Sequence, residues 1–480
     1  MNRRMVMNTI GKMVLAEGLF LLLPAVVALL YQETQGLLAL LATVAIALTM
    51  GGTMVFAAKP RTDVIYAKEG FFIVSASWIL LSAIGALPFF FSGEIPNYID
   101  AVFETVSGFT TTGASILTDV EALSHGLLFW RSFTHWIGGM GILVFVMAIL
   151  PNMSERSIHI LRAEVPGPVV GKLVPRIKDT AKILYLIYIV LTFVQVLLLL
   201  FGGMPLFDSL LHAFGTAGTG GFGIKADSVA SYSPYLQWVI TIFMLIFGIN
   251  FNLYYLILVR KFKTAIKSRE LWVFLGIVFL SVAAISFNIR GDYETTEETV
   301  RQSAFQVSSV ITTTGFATTN FDLWPSFSKG ILFLLMFIGG CAGSTAGGLK
   351  VSRIVIIFKQ IRREVQRLLH PRSVKTLRFE GHSLEEQTIG GVMSYIFVYL
   401  VGLSVIFLII SLEPFGLETN FSATVACFNN VGPGFGAVGP AGSFAAFSPL
   451  SKLVLSAGML LGRLEIFPLI ILFSPSAWKK

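Results

Sequence analysis

The chain has 480 residues, of which 55% are hydrophobic and only 13% charged, with 35 Lys and Arg against 27 Asp and Glu for a net charge of +8. A soluble chain carries about 25% charged residues; half that share cannot cover a folded surface of this size, which excludes a soluble enzyme. The apolar residues also arrive in runs of about 18 or more, the length that a bilayer core of about 30 Å demands of a helix. Two cysteines, Cys341 and Cys427, sit in apolar or Gly-rich stretches and leave no room for a disulfide framework or a zinc site.

In chain order, ten spans are expected near residues 12–31, 37–57, 70–91, 127–150, 181–203, 235–259, 271–289, 329–349, 388–411 and 449–473. The first follows Arg3, Arg4 and Lys12, as a signal peptide would. It is long, lacks a small-residue cleavage pattern and is followed at once by another span, so it reads as a retained helix. Basic residues gather at both termini and in the connections after spans two, four, six and eight, which together hold 27 of the 35. That side is cytoplasmic by the positive-inside rule, with both termini inside. The charge is therefore topological, and no nucleic-acid partner is needed to explain it. The opposite face holds fifteen acids, Glu104 and Asp322 among them, against six basic residues. A net negative mouth concentrates cations, although solvated loops are often acidic without that role.

Four semi-polar stretches separate spans three and four, five and six, seven and eight, and nine and ten. They align on one glycine each: GFTTTGAS around Gly113, GTAGTGGFG around Gly220, ITTTGFAT around Gly315 and NVGPGFGA around Gly434. Each glycine follows a short, mildly apolar segment (101–108, 206–214, 300–310 and 421–430) that cannot cross a bilayer and fits a re-entrant half-helix. An aromatic-led span follows, from Trp130, Trp238, Trp324 or Phe447. The expected fold is an all-α polytopic membrane protein. Residues 1–68 form two extra helices, and residues 69–179, 180–269, 270–387 and 388–480 form four span–half-helix–filter loop–span repeats around one pore. The third repeat also carries the Gly-rich run 339–350 and a basic cytoplasmic segment.

Irregular backbone at membrane depth is tolerated only when buried in protein or lining a water-filled cavity. Glycine reaches backbone angles that let successive carbonyls point the same way, and rings of such oxygens can replace a cation's water shell. The candidate cation ligands, mainly through backbone carbonyls, are Thr110, Thr111, Thr112 and Gly113; Gly218, Thr219 and Gly220; Thr312, Thr313, Thr314 and Gly315; and Val431, Gly432, Pro433 and Gly434. The threonine hydroxyls are expected to add oxygens, and the half-helices to aim their negative C-terminal ends at the centre. None of these stretches holds a carboxylate, which disfavours Ca²⁺ and favours a monovalent ion. The four walls are unlike: only the first and third read TTTG, and none reads TVGYG.

The motifs TTTGA (110–114), GTGGFG (218–223), TTTGF (312–316) and NNVGPGFG (429–436), with GGCAGSTAGGLK (339–350) and GRLEIFP (462–468), make this chain resemble the Trk/Ktr/HKT superfamily of cation transporters, in its TrkH type. The resemblance covers essentially the whole chain. It implies potassium uptake across the bacterial plasma membrane, a homodimer, and a cytosolic ring of nucleotide-binding regulatory subunits of the TrkA type. No organic cofactor is implied; K⁺ is the transported ion.

Two features carry the expected gate. The run 339–350 looks superficially like a phosphate-binding loop, but neither Ser nor Thr follows Lys350 and no strand precedes it. Close helix packing through small residues is the ordinary alternative; yet so much Gly, Ser and Thr should break span eight. The resemblance makes Gly339, Gly340, Gly343, Ser344, Thr345, Gly347 and Gly348 an intramembrane loop that plugs the pore. Arg463, with Glu465 two residues on, lies inside span ten, where a charge marks an ion path or forms a structural pair; the resemblance puts it on the pore axis beneath the filter. The six histidines, His125, His135, His159, His212, His370 and His382, show no metal-ligand spacing, and no catalytic constellation is present. The basic segment 350–386 suits lipid headgroups or an acidic soluble partner. An ion-coupled secondary transporter, moving K⁺ with H⁺ or Na⁺, is the main alternative, although that class commonly has two inverted repeats.

Overall fold

The computed structural model describes residues 2–58, 67–141, 177–372 and 375–475. Helix dominates. The only strands among the described residues, β1 (Arg378–Phe379) and β2 (His382–Ser383), pair antiparallel in one short hairpin.

The N-terminal helices α1 (Arg3–Phe20) and α2 (Leu22–Leu30) form one span, and α3 (Thr34–Ala57) returns against α1. Next come α4 (Ala67–Gly85), α5 (Leu87–Phe91), the half-helix α6 (Tyr98–Phe109) and α7 (His125–Gly139). The second unit holds α8 (Ile177–Phe201), the half-helix α9 (Leu206–Gly218), α10 (Pro234–Gly248), α11 (Phe251–Leu258) and α12 (Phe262–Ile266). The third holds α13 (Arg269–Asn288), the half-helix α14 (Thr296–Ile311), α15 (Ser326–Ile338) and α16 (Val351–Leu369). The fourth holds α17 (Glu386–Ile410), the half-helix α18 (Leu417–Phe428), α19 (Pro449–Arg463) and α20 (Phe467–Phe473).

Local chemistry sets the helix starts. Asn97, Ser233, Thr295 and Ser448 accept a hydrogen bond from the first turn of α6, α10, α14 and α19, satisfying donors that a helix start leaves orphaned. Pro234 and Pro449 occupy first helical positions, where a missing N–H costs nothing.

Six helical segments among the described residues are long and apolar enough to cross a membrane: Arg3–Leu30, Thr34–Ala57, Lys68–Phe91, Lys182–Phe201, Arg269–Asn288 and Glu386–Ile410. They match six of the ten expected spans. The other four are the closing spans of the four units, and none runs straight through. Helix α7 stops at Gly139, and most of the remainder of 127–150 lies outside the described residues. Helix α10 stops at Gly248, and α11 leaves it at 90°. Helix α15 stops at Ile338. Helix α19 stops at Arg463, after which Glu465 and Ile466 take φ of 57° and 65°. A break was expected only in span eight. Hydropathy averages composition over a window and is blind to chain direction, so short breaks at 249–250 and 464–466, flanked by apolar residues, passed as continuous span.

Large apolar side chains cover the outside, with Leu19, Phe56, Phe279, Phe287 and Phe397 exposed, the pattern of a chain solvated by lipid rather than water. Inside, one cluster packs Trp78, Phe89, Phe103, Phe109 and Trp130 around α4, α6 and α7, and a second packs Tyr188, Phe247, Phe251, Phe305 and Phe316 around the second unit.

Candidate ion pathway

The four half-helices are 12, 13, 16 and 12 residues long and end in the same backbone figure. Within two residues of each end one residue turns left-handed: Thr111 (φ 55°), Thr219 (54°), Thr313 (55°) and Asn430 (57°). Two positions later comes a glycine with positive φ: Gly113 (82°), Gly221 (72°), Gly315 (88°) and Gly432 (100°). The residue between donates its N–H back to its own half-helix, Thr112 to Ser107 O at 2.9 Å and Gly220, Thr314 and Val431 to Gly215, Ser309 and Ala426 O at 2.8 Å each.

These glycines face one another in cyclic order. A Cβ added to Gly113 would strike the carbonyl oxygen of Gly220; on Gly221, that of Thr314; on Gly315, that of Val431; on Gly432, that of Thr112. The four oxygens come from equivalent positions, each immediately before a glycine, and close a ring. Only glycine fits, because the φ is left-handed and a neighbouring carbonyl fills the space a side chain would take. All four glycines line one cavity of about 330 Å³ above the ring.

The backbone register therefore differs from the sequence alignment in two loops. Gly221 and Gly432, not Gly220 and Gly434, correspond to Gly113 and Gly315. Gly218, Thr219 and Gly220 take the places of Thr110, Thr111 and Thr112, while Gly434 lies past the ring with its N–H bonded to Val438 O at 2.7 Å. Both loops hold several glycines, and composition alone does not say which adopts positive φ. Pro433 follows Gly432 and also lines the cavity.

Most threonine hydroxyls turn away from the ring. Thr110 and Thr312 donate to Val106 and Ser308 carbonyls at 2.7 and 2.6 Å, and each sits 2.7 Å from the hydroxyl of Thr112 or Thr314. Thr219 donates to Gly218 O at 2.6 Å. One level down, Thr111 Oγ1 and Asn430 Oδ1 are buried without a hydrogen-bond partner.

Residues outside the loops hold them in place. His135 Nδ1 lies 2.8 Å from Gly108 O, and its Nε2 accepts from Phe222 N–H at 3.3 Å, which sets the neutral tautomer and bridges the first half-helix to the second loop. Arg131 pairs with Glu104 at 2.6 Å, donates to Gly223 O at 2.8 Å and stacks on Phe222. Glu104 also accepts from Ile116 N–H at 3.0 Å. In the fourth unit, Tyr399 donates to Asn429 at 2.8 Å and Asn430 Nδ2 to Thr112 Oγ1 at 3.0 Å. Sequence reasoning took His135 for packing and Glu104 for a mouth acid; ionisable residues inside an apolar run were the available signal. Nor do the outer acids line the cavity, whose charged lining is Arg131 and Lys225. Several are spent on ion pairs instead, Asp100 with Lys452 at 2.7 Å and Asp322 and Glu418 with Lys329 at 2.9 Å.

Beneath the ring, residues 339–350 leave helical structure between α15 and α16, with positive φ at Gly339, Gly343, Gly348 and Lys350. Gly347 N–H donates to Thr313 Oγ1 at 2.6 Å and Gly348 N–H to Asn429 O at 3.1 Å, so the loop abuts the ring from below. Cys341 and Thr345 N–H donate to Gly248 and Phe247 O, the broken end of α10, and Phe251 N–H donates to Gly343 O. The Ser344 hydroxyl closes on Cys341 O at 2.6 Å, and a side chain at Gly340 would meet Gly248 O. Arg463 donates to Thr345 O at 2.7 Å and to Gly138 and Gly139 O, at the end of α7, at 2.6 and 2.7 Å. Glu465 pairs with Arg353, not with Arg463. Buried Glu270, at the start of α13, accepts from Ala342 N–H at 2.7 Å and Ser352 N–H at 3.1 Å, holding the loop from its other side. An acid opening an apolar span just after a basic connection was the overlooked signal.

With this geometry, the comparisons with known proteins fall into place. The TrkH family, described as "Cation transport protein", matches residues 37–480. The chain belongs to the TrkH family. It is 39% identical to the Trk system potassium uptake protein TrkH of Salmonella typhimurium strain LT2 over the full length of both chains. It is 36% identical to TrkG of Escherichia coli K12 across 99% of each. The crystal structure of the potassium transporter TrkH from Vibrio parahaemolyticus superposes with a TM-score of 0.88 at 34% identity, covering all of both chains. As a TrkH-family member with this helical inventory, the chain is a multi-pass membrane protein.

Proposed function

We propose that the chain takes up potassium ions across the bacterial inner membrane through a pore whose filter is the four-loop ring and whose gate is the loop 339–350. The observation that carries the reading is the ring: four equivalent carbonyls, from Thr112, Gly220, Thr314 and Val431, each lie against the glycine of the next loop in a closed cycle, just beyond the C-terminal ends of four half-helices. Helix C-termini carry partial negative charge, and carbonyl oxygens replace water around a potassium ion without a carboxylate. The open acceptors Thr111 Oγ1 and Asn430 Oδ1 offer a second level below. The names of the full-length relatives support the same ion.

In the closed state the plug binds the underside of the filter through Gly347 and Gly348, and Arg463 fastens it to α7. The guanidinium also acts at a distance: a cation about 8 Å away is repelled by about 2 kcal/mol at an effective dielectric of 20. Opening requires the bonds of Arg463 and Glu270 to break or move together. Units 69–179, 180–269, 270–387 and 388–480 each supply one wall, and 1–68 the two extra helices. Both termini are cytoplasmic, as the basic connections require. The exposed basic helix α16 faces a cytosolic, nucleotide-binding ring of the TrkA type, and two copies of the chain form a homodimer. The chain is a conduit and not an enzyme.

Radioactive rubidium uptake into liposomes holding the purified protein tests this, with K⁺, Na⁺ and Li⁺ as competitors. K⁺ is expected to compete best. Uptake no faster than in protein-free liposomes, or equal competition by all three ions, sinks the proposal.

A further inference from the structure

The first span carries an acid that the pore does not use. Glu17 is the fifteenth of the 28 residues of Arg3–Leu30, at mid-membrane, and 3% exposed. Neither carboxyl oxygen has a hydrogen-bond partner. The carboxyl lodges in the notch left by Gly85 on α4: a Cβ there would lie 3.0 Å from Glu17 Oε1, from the Phe109 ring and from the Thr105 methyl. Thr105 and Phe109 belong to α6, and Phe109 is its last residue before the first filter loop. Two further buried polar atoms without partners, Trp78 Nε1 and Ser82 Oγ, lie on the same face of α4 as Gly85. The seam between α1, α4 and the first half-helix is thus apolar in packing yet lined with unspent polar atoms, a combination that calls for an explanation such as water or a proton.

No cation answers the carboxyl. Helices α2, α3 and α5 contain no charged residue. On α4 the charged residues, Lys68 and Glu69, stand at its cytoplasmic start, four turns below Gly85. On α6, Asp100 and Glu104 are paired with Lys452 and Arg131. On α7, His125 lies against Glu33, Arg131 against Glu104 and His135 against Gly108 O. On α1 itself, Arg3, Arg4 and Lys12 lie toward the cytoplasmic end. A carboxylate with neither counter-charge nor donors is strongly disfavoured in hydrocarbon, whereas the neutral acid fits the packed seam.

We propose that Glu17 is a proton-binding site that seats the first half-helix: protonated, it keeps the seam closed; ionised, it draws water in and loosens the support of the first filter loop. Glu17 is not among the residues lining the cavity over the filter, so the site regulates the pathway from its side. The consequence for transport rests on the potassium reading above; the proton site does not. The sign follows: uptake is full at acidic pH, where the acid is neutral, and falls as pH rises through its ionisation.

The test uses the full-length chain in liposomes, as wild type, Glu17→Gln and Glu17→Leu. A carboxylic-acid C=O band that depends on Glu17 is expected in infrared difference spectra at neutral pH and should vanish at alkaline pH. Over the same range wild-type rubidium uptake should fall at least about fivefold, the low end of couplings between sites in proteins, while both variants stay flat. Absence of the band overturns the proton site. The band with parallel pH profiles in wild type and Glu17→Gln overturns the link to the filter. No uptake from any sample, with the band present, sinks the potassium reading and leaves the proton site standing.

Discussion

The ring and the loop 339–350 are built from the same glycine and hydroxyl residues but hold their backbones in opposite ways. Each filter loop bonds first to its own half-helix, through a turn repeated four times. The plug loop makes few internal bonds and depends on elements distant in sequence: Phe247 and Gly248 of the second unit, Thr313 and Glu270 elsewhere in its own, Asn429 and Arg463 of the fourth. Local, repeated bonds hold when a neighbour moves. Bonds to distant elements break when those elements shift, which is what the proposed gate requires. Glycine thus supplies a fixed geometry in one place and a releasable one in the other.

The comparison breaks most visibly at the ring. Serine at Gly113, Gly221, Gly315 or Gly432 combines left-handed strain of about 1–3 kcal/mol with collision against a carbonyl. Preference for K⁺ over Na⁺ should fall on the order of tenfold or more in each, measured by competition against rubidium uptake. Gly434→Ala, two residues outside the ring, should do clearly less than Gly432→Ser. Equal effects would restore the alignment on Gly434.

Next in size is the release of the plug. Arg463→Ala removes three charge-assisted bonds, each contributing about 1.5–3 kcal/mol, and the repulsion of a fixed cation. Basal flux should rise about tenfold or more without loss of K⁺ preference, and so should partial deletion of 341–346. Because Arg463 donates to Thr345 O, the two changes share one contact and should not add. Full additivity would separate the charge from the loop. Glu270→Gln keeps an acceptor for Ala342 and Ser352 and should raise flux less than Glu270→Ala.

How much of this was legible beforehand follows the same divide. Composition and run length reveal a polytopic helical protein, and four short segments each ending at glycine reveal half-helices, because these depend on neighbours in sequence. The break at 339–350 was legible for the same reason. The register at Gly221 and Gly432 was not, since backbone φ among adjacent glycines is decided by which neighbouring carbonyl arrives. The partners of Arg463 were equally hidden: Gly138 and Thr345 lie 325 and 118 residues away. Arg463 was expected on the pore axis as one of two parts of a gate, and its bonds add a link to the loop and to the end of α7 that spacing did not show.

The smallest expected effect is the one that separates filter from plug most cleanly. Thr313 belongs to the filter loop by position, yet its hydroxyl accepts from Gly347 N–H of the plug at 2.6 Å. The equivalent Thr111 hydroxyl has no partner, and that of Thr219 is spent on Gly218 O. Thr313→Val keeps the shape and the backbone carbonyl but removes one neutral hydrogen bond, about 1 kcal/mol or roughly fivefold in an equilibrium. If that bond latches the plug, basal rubidium flux should rise by about that factor while the K⁺, Na⁺ and Li⁺ competition curves stay put. Thr111→Val at the equivalent position removes a proposed ion acceptor but holds no part of the plug, so it should not raise basal flux. A Thr313→Val protein that instead loses K⁺ preference, with unchanged basal flux, would make the hydroxyl an ion ligand and move the upper limit of the gate below residue 347.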